Sequence, residues 1–535
     1  MYGEGSAARR WSITIVTLKR SNLLKLVSVV CLQLVMVVAA DSRAVASESE
    51  GEIVTTKHQV TVGGRILKYT ARAGQLPILD NQTGEVHGHI FFIAYTLDSP
   101  ATAHPRPLTF LWNGGPGSSS SLVHLLGFGP RRLSPDGTAV DNQGTWLEVS
   151  DLVFVDPVGT GYSRPTKAEY GPEFYQTRGD AESVAEFIRV YRTRFEAWQA
   201  PLFLAGESFG VTRAAGVADV LERRGISVNG LILMGLSLPL GELSTELRIA
   251  LALPNYAAAA FANKKLEPRL QTDLQATLKE AQAWAQSTYA PALGRRDTLG
   301  EAERENILAK LAQYSGLSTR LLDSKTLTIP MESFTRQLLA DRSQVVGRYD
   351  SRLVGPLNPN EQQYDPTKDP SLKDIINDIG VVRYLRNELQ YKNDLKYQGP
   401  FGGGYPPPTA FRGDWMSVRW ARTPPLASSG NGGRQGSGAA ATPPDQPLRR
   451  AMIANPKLRV LVACGYYDLV CSYSANAYLA DHLDPDIPKN VIARGYGGGH
   501  ALYTDDSAQM EFKRDVTKFI RDATTEAGAG RAAQN

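Results

Sequence analysis

The segment Pro201–Gly210, Pro-Leu-Phe-Leu-Ala-Gly-Glu-Ser-Phe-Gly, constrains this chain more than any other. Its apolar run Leu202–Ala205, bounded by Pro201 and Gly206, reads as a buried parallel strand. Gly206-Glu207-Ser208-Phe209-Gly210 is a G-x-S-x-G motif, and a helical pattern over Val211–Arg224 follows it, stopped by Gly225. Strand, G-x-S-x-G and helix together predict a sharp turn that lifts the Ser208 hydroxyl above the end of a sheet. The motif alone is common by chance. Its meaning depends on whether the chain also supplies a base, an orienting acid and donors for an oxyanion.

The flanking sequence supplies a parallel sheet. His58–Ala71 alternates apolar and polar residues around Gly63-Gly64, which predicts an antiparallel strand or hairpin. Gly88–Leu97, Leu108–Trp112, Leu152–Val155, Leu231–Gly235, Leu458–Ala463 and Val491–Arg494 read as further strands. Helical patterns cover Gly179–Trp198 and Ser507–Thr524. Strands alternating with helices imply an α/β fold, a mostly parallel central sheet with helices on both faces. Residues 241–422 break the alternation: they are mostly helical, as in Gln271–Gln286 and Glu301–Tyr314, and lack clear strands. They are read as a helical cap inserted over the carboxyl edge of the sheet, between core segments 47–240 and 447–535. Residues 423–446 form a Gly/Ser/Pro-rich tract, read as a flexible loop.

At 535 residues the chain is long for one compact core, consistent with a large domain plus an insertion. With 42% hydrophobic and 21% charged residues, it is not a disordered polymer. Residues 1–46 read as an export signal: basic residues precede the apolar run Leu26–Ala40, and Ala44-Val45-Ala46 offers a cleavage site. The mature chain is therefore expected outside the cytoplasm, periplasmic or secreted, without stable membrane association. Removing the segment takes six Lys/Arg and two Asp/Glu, so the formal charge of +4 falls to zero. Nothing then argues for a nucleic-acid partner. Cys464 and Cys471 remain and could form one disulfide at most.

Within this frame the acid and base are expected after the last strands, in the order Ser, acid, His. His500 closes Tyr496-Gly-Gly-Gly-His, a Gly-rich loop after a strand, whereas His482 lies in an amphipathic segment and reads as a helix-surface residue. Asp468 is the one carboxylate in Cys464-Gly-Tyr-Tyr-Asp after the preceding strand. Ser208, Asp468 and His500 are thus the candidate nucleophile, orienting acid and base. Asn113-Gly114-Gly115-Pro116-Gly117 follows Leu108–Trp112, and its backbone can approach a ligand closely, so the Gly115 and Phe209 N–H groups are the candidate oxyanion donors. No metal or cofactor is needed for such chemistry.

The runs Asn113–Ser120, Asp156-Pro-Val-Gly-Thr-Gly-Tyr-Ser163, Gly206–Gly210, Asp468 with Cys471, and Gly499-His500, in this order, resemble the serine carboxypeptidase family. The resemblance covers roughly residues 85–240 and 455–503. It implies an α/β-hydrolase fold, removal of C-terminal residues from peptide substrates, and the same Ser208, Asp468 and His500. It also implies that Asn113, Gly114 and Glu207 hold the substrate's C-terminal carboxylate. The chain departs from the family in three places. A second Glu usual just before the Gly-Pro pair, here Gly129-Pro130, is replaced by Gly127. The family's Trp is Leu111, with Trp112 shifted by one, and a family cysteine is Ser118. Two crowded carboxyls share a proton and favour acid pH, so with Glu207 alone any acid optimum is expected to be weakened. An esterase or acyltransferase on the same fold, or a catalytically silent binding protein, are the alternatives. The sequence carries no signal for oligomeric state or for the preferred C-terminal side chain.

Overall fold

A computed structural model describes residues 53–98, 105–360, 365, 368–373, 375–376, 378–400 and 446–532. The expected leader 1–46 and the tract 423–446, apart from Gln446, lie outside the described residues.

The sheet begins with β1 (Val54–Val62), β2 (Arg65–Leu79) and β3 (Val86–Leu97), each antiparallel to the next. Gly63 and Gly64, both at positive φ, make the first turn, where the sequence places it. Besides the two-residue strand Arg164–Pro165, which pairs with β3, six strands follow: β4 (Leu108–Trp112), β5 (Asp151–Asp156), β6 (Leu202–Glu207), β7 (Gly230–Met234), β8 (Arg459–Gly465) and β9 (Val491–Tyr496). These pair parallel to one another, and β5 joins β3 antiparallel. Their order across the sheet is β1-β2-β3-β5-β4-β6-β7-β8-β9. The sheet is therefore mostly parallel, and β4, β6 and β7 are buried along their whole length, as strands covered on both faces must be.

Helices α1 (Thr177–Arg194), α2 (Phe209–Arg223) and α3 (Pro447–Ala454) cover one face. Val184, Phe187, Val217 and Leu221 pack there against Phe110, Val153, Leu204 and Leu231. The long helix α4 (Asp506–Ala532) covers the other, with Phe512, Val516 and Phe519 against Leu111, Phe154, Phe203 and Ile232. Alternate residues of β6 thus serve opposite cores, Leu202 and Leu204 one and Phe203 and Ala205 the other. Each large side chain so buried stabilises the fold by about 1.5–3 kcal/mol.

Residues 245–346 gather helices, among them Leu253–Ala262, Leu274–Trp284, Glu301–Ser315 and Met331–Gln337, around a core of their own. Tyr466, Tyr467 and Leu469, which follow β8, pack against that core. The expectation of a strand-free stretch needs one correction. Gln344–Val346 pairs antiparallel with Val354–Pro356, a ladder too short to leave a periodic signature in the sequence. The helix Asp378–Asn387 behaves differently: Val381, Tyr384 and Leu385 join the α4-side core, and the Tyr384 hydroxyl lies 2.9 Å from that of Tyr95. No helix among the described residues is long and apolar enough to cross a membrane.

Candidate active site

The chain leaves β4 toward β5 on one side and later returns with β6 on the other. The crevice at the carboxyl ends of β4 and β6 is therefore the topological switch point, where folds of this kind place ligands. Ser208 lies there, immediately after β6, in a strained backbone conformation with φ 56° and ψ −130°. Its N–H donates to the Met234 carbonyl at the end of β7 (2.8 Å), and its carbonyl accepts from Val211 N (2.8 Å). The turn leaves no room for a side chain at Gly206 or Gly210. A Cβ on Gly210 would lie 2.8 Å from Trp112 Cδ1, and one on Gly206 would collide with the Gly210 carbonyl. The sequence motif and its geometry agree.

His500 and Asp468 reach this edge from the loops after β9 and β8. Asp468 is fully buried, and His500 nearly so. Asp468 Oδ2 accepts from His500 Nδ1 at 2.7 Å, while its Oδ1 accepts the Val470 N–H at 2.7 Å. The ring lies over Gly235, directly after the strand whose carbonyl holds Ser208. Burial works against the imidazolium, but the charge and hydrogen bond of Asp468, with Glu207 nearby, outweigh it and hold the ring's pKa above its ordinary value. Among the described residues Ser208 Oγ makes no hydrogen bond. Bonds of this kind commonly tighten only when substrate is bound.

A segment that sequence reasoning missed clamps this pair. His500 N donates to the Tyr349 carbonyl (2.6 Å), Leu469 N to the Arg348 carbonyl (3.1 Å), and Ser351 N to the Tyr467 carbonyl (2.9 Å). The Tyr349 ring stands edge-on to the imidazole at 5.2 Å. Residues 348–351 thus tie the acid loop to the base loop. Nothing in their composition marks them, because the contacts are made by backbone. Cys464 and Cys471 are joined as a disulfide, and Asp468 lies within the ring it closes.

The β4 loop runs against the elbow. A Cβ on Gly114 would lie 2.6 Å from the Glu207 carbonyl and would also clash with Phe209 N, so only glycine fits. Gly115 follows, exposed and at φ +99°, and its N–H makes no hydrogen bond among the described residues. The loop is fixed from beneath by Arg213 on α2. Its guanidinium donates to the Asn113 carbonyl (2.8 Å) and to Asp180 of α1 (2.8 Å), and both side chains of this ion pair are buried. Asp156 fixes the loop from the other side by accepting from Ser120 N (2.7 Å) and from the Tyr397 hydroxyl (3.2 Å). Ser118 Oγ, where a cysteine was absent, donates to the Pro400 carbonyl.

Glu207 and Asn113 are both buried and meet, the Asn113 amide donating to Glu207 Oε2. Burial pushes the Glu207 carboxyl up, while the nearby His500 and hydrogen bonds from Tyr503 and Asn113 pull it back. The third group at this point was not foreseen. Tyr503 donates its hydroxyl to the same Oε2 at 2.9 Å, and its ring lies against Gly127. A Tyr three residues beyond a candidate His gave no signal in the sequence. Among the described residues no group of His, Cys, Asp and Glu could hold a metal ion.

The sequence model of the serine carboxypeptidase family matches residues 73–381. Over 143 residues the chain is 38% identical to the pheromone-processing carboxypeptidase KEX1 of Pyricularia oryzae, and over 141 residues 33% identical to that of Tuber melanosporum. Each alignment covers 26% of this chain but only 22% of the relative, so the chain matches about a fifth of the length of these curated proteins. The crystal structure of the prohormone-processing carboxypeptidase Kex1Δp from Saccharomyces cerevisiae superposes with a TM-score of 0.51 at 16% identity, covering 85% of this chain and 91% of that one. That likeness shows the fold, which is of the α/β-hydrolase type. With the family's sequence model spanning more than half of its length, the chain belongs to the serine carboxypeptidase family.

Proposed function

We propose that the protein is a serine-type carboxypeptidase that removes C-terminal residues from peptides through an acyl-enzyme. The observation that carries this reading is the buried 2.7 Å Asp468–His500 pair at the sheet edge that also bears the strained Ser208. Ser208 Oγ attacks the last peptide carbonyl as His500 Nε2 takes its proton. The Gly115 and Phe209 N–H groups receive the oxyanion. The tetrahedral adduct collapses, and His500 gives its proton to the departing amine of the C-terminal residue. Water, deprotonated by His500, then hydrolyses the ester and frees Ser208. Asn113, Gly114 and Glu207 lie beside this site and would hold the substrate's carboxylate. The basic and apolar leader 1–46 supports export of the mature chain.

A specific observation favours a second reading, an esterase or acyltransferase. The partner of Glu207 is a tyrosine and not a second carboxyl, so recognition of a free C-terminus is built differently here. Reaction with a fluorophosphonate, followed by assays on N-blocked dipeptides, their C-terminal amides and simple esters, tests both readings. An adduct on Ser208 with preference for free acids is expected. No adduct would remove the hydrolase reading, and ester turnover without peptide cleavage would select the second.

A further inference from the structure

Tyr503, Glu207 and Asn113 form a closed triangle of buried side chains next to the candidate base. The orientation of each is set independently. Asn113 Oδ1 accepts the backbone N–H of Val123 (3.1 Å), which only the carbonyl end of the amide can do, so its NH2 group is the end that meets Glu207. The Tyr503 ring is held between Gly127 and Phe128, with ring centres 5.1 Å apart in the latter pair. The Gly127 carbonyl is in turn bound by Asn142 (2.8 Å) and Gln509 (2.7 Å). A Cβ at position 127 would lie 3.4 Å from Tyr503 Cδ2, in ordinary contact with the tyrosine ring. The phenol's hydrogen has no acceptor other than Glu207 among the described residues.

Two donors on one carboxyl oxygen occupy both of its in-plane lone pairs. Glu207 Oε1, by contrast, accepts no hydrogen bond among the described residues. We propose that Tyr503 is a positioning residue that, with Asn113, makes Oε2 a permanent acceptor and so confines the proton of Glu207 to Oε1, from which it is donated to the peptide's C-terminal carboxylate. One neutral donor thereby replaces the second carboxyl of a proton-sharing pair. The charged groups facing Glu207 are His500 and Asp468 across the site, with Arg213 behind the Asn113 carbonyl. Burial, reinforced by the charge of Glu207, pushes the Tyr503 phenol well above its ordinary value, so it keeps its proton throughout the working range. This inference rests on the carboxypeptidase reading for its substrate, but the Tyr503–Glu207 linkage can be read without one.

The test compares the parent, Tyr503→Phe and Glu207→Gln. kcat/KM is measured against pH on an N-blocked dipeptide and on its C-terminal amide, and the infrared band of the protonated Glu207 carboxyl is followed in the resting enzyme, assigned by its loss in Glu207→Gln. In Tyr503→Phe the preference for the free acid over the amide should fall about tenfold, the scale of one hydrogen bond to a charged group, read as a larger loss on the free acid than on the amide. Because the lost hydroxyl favoured the carboxylate, the protonated band should persist to higher pH. In Glu207→Gln the amide carbonyl takes the place of Oε2 and its NH2 that of Oε1–H, so the free-acid preference should survive and lose its pH dependence. Equal losses on both substrates in Tyr503→Phe, or an unmoved band, would overturn the proposal. A parent that ignores free acids altogether would sink the carboxypeptidase reading, and the infrared shift would then judge Tyr503 alone.

Discussion

Replacing Asp468 with Asn isolates what the buried acid does. Oδ1 of Asp468 accepts the Val470 N–H at 2.7 Å, and Oδ2 accepts from His500 Nδ1 at the same distance. An Asn at this position keeps its carbonyl oxygen on Val470, since the alternative would set the amide donors against a backbone donor. Its NH2 then faces Nδ1, which must become the acceptor. The imidazole proton moves to Nε2, the nitrogen that has to be bare to take the proton of Ser208. The variant also loses the negative charge that holds the His500 pKa up. Together the wrong tautomer and the lost charge should lower kcat by roughly four powers of ten, the scale seen for such a change in serine hydrolases, or about 5.5 kcal/mol of barrier. The fold should be unchanged, because shape and the Val470 bond are preserved. The assay is ester turnover per titrated Ser208 across pH, paired with 15N NMR of the His500 ring. In the parent, the acid limb of kcat/KM should lie above the pH of an ordinary imidazole, because His500 must be neutral to act and Asp468 holds its pKa up. In Asp468→Asn that limb should move down. A variant within tenfold of the parent, with the proton still on Nδ1, would refute the reasoning.

Three further outcomes follow from the same geometry. Gly114→Ala places a Cβ against Phe209 N and 2.6 Å from the Glu207 carbonyl; displacing the β4 loop by even 1 Å should lower kcat about a hundredfold, and circular dichroism should separate this from unfolding. The Asp156 carboxyl is raised by burial from 3.8 to about 6, against the pull of Ser120 and Tyr397. The folded state then binds more protons than the unfolded one, so this group's contribution falls as pH rises between those values; Asp156→Asn should flatten the thermal stability profile there, and an unaltered slope would contradict the assignment. Replacing Cys464 and Cys471 by Ser opens a ring of sequence separation seven and should cost about 2–3 kcal/mol; because Asp468 sits inside that ring, kcat should drop along with the melting temperature, and a fall in stability alone would show that other contacts hold the acid.

Local signals in the sequence were strong where one short stretch carries the whole constraint. The elbow needs Gly206 and Gly210 within a few residues of Ser208, so its motif, strand and helix could all be read together. The expected strands of the parallel sheet appear with ends shifted by at most two residues, because continuous apolar runs such as Leu202–Ala205 serve two cores at once, whereas the hairpin expected over His58–Ala71 spans Val54–Leu79. Asp468 and His500 were legible because each is the only suitable group in a glycine-bearing loop after a strand. What escaped is made by long-range contact between unmarked residues. Tyr349 holds His500 through its carbonyl, which any residue possesses. Arg213 reads as one more charge on an amphipathic helix, and only the tertiary structure pairs it with Asp180. Tyr503 shows its part only once the fold brings its hydroxyl to Glu207.

The order of strands has a consequence for the timing of synthesis. β7 pairs with β8, yet residues 235–458 lie between them. A nascent chain therefore presents Ser208 and its elbow long before the loops bearing Asp468 and His500 have been translated. The elbow half of the sheet can assemble on the growing chain, but the nucleophile stays unactivated until the last two parallel strands add at the edge. Closing so long an excursion costs little, since each doubling of a loop adds only about 0.6 kcal/mol, and the intervening helices pack a core of their own. On the proposed reading the hydrolytic chemistry is thus completed last, and an unfinished polypeptide cannot turn it on its neighbours.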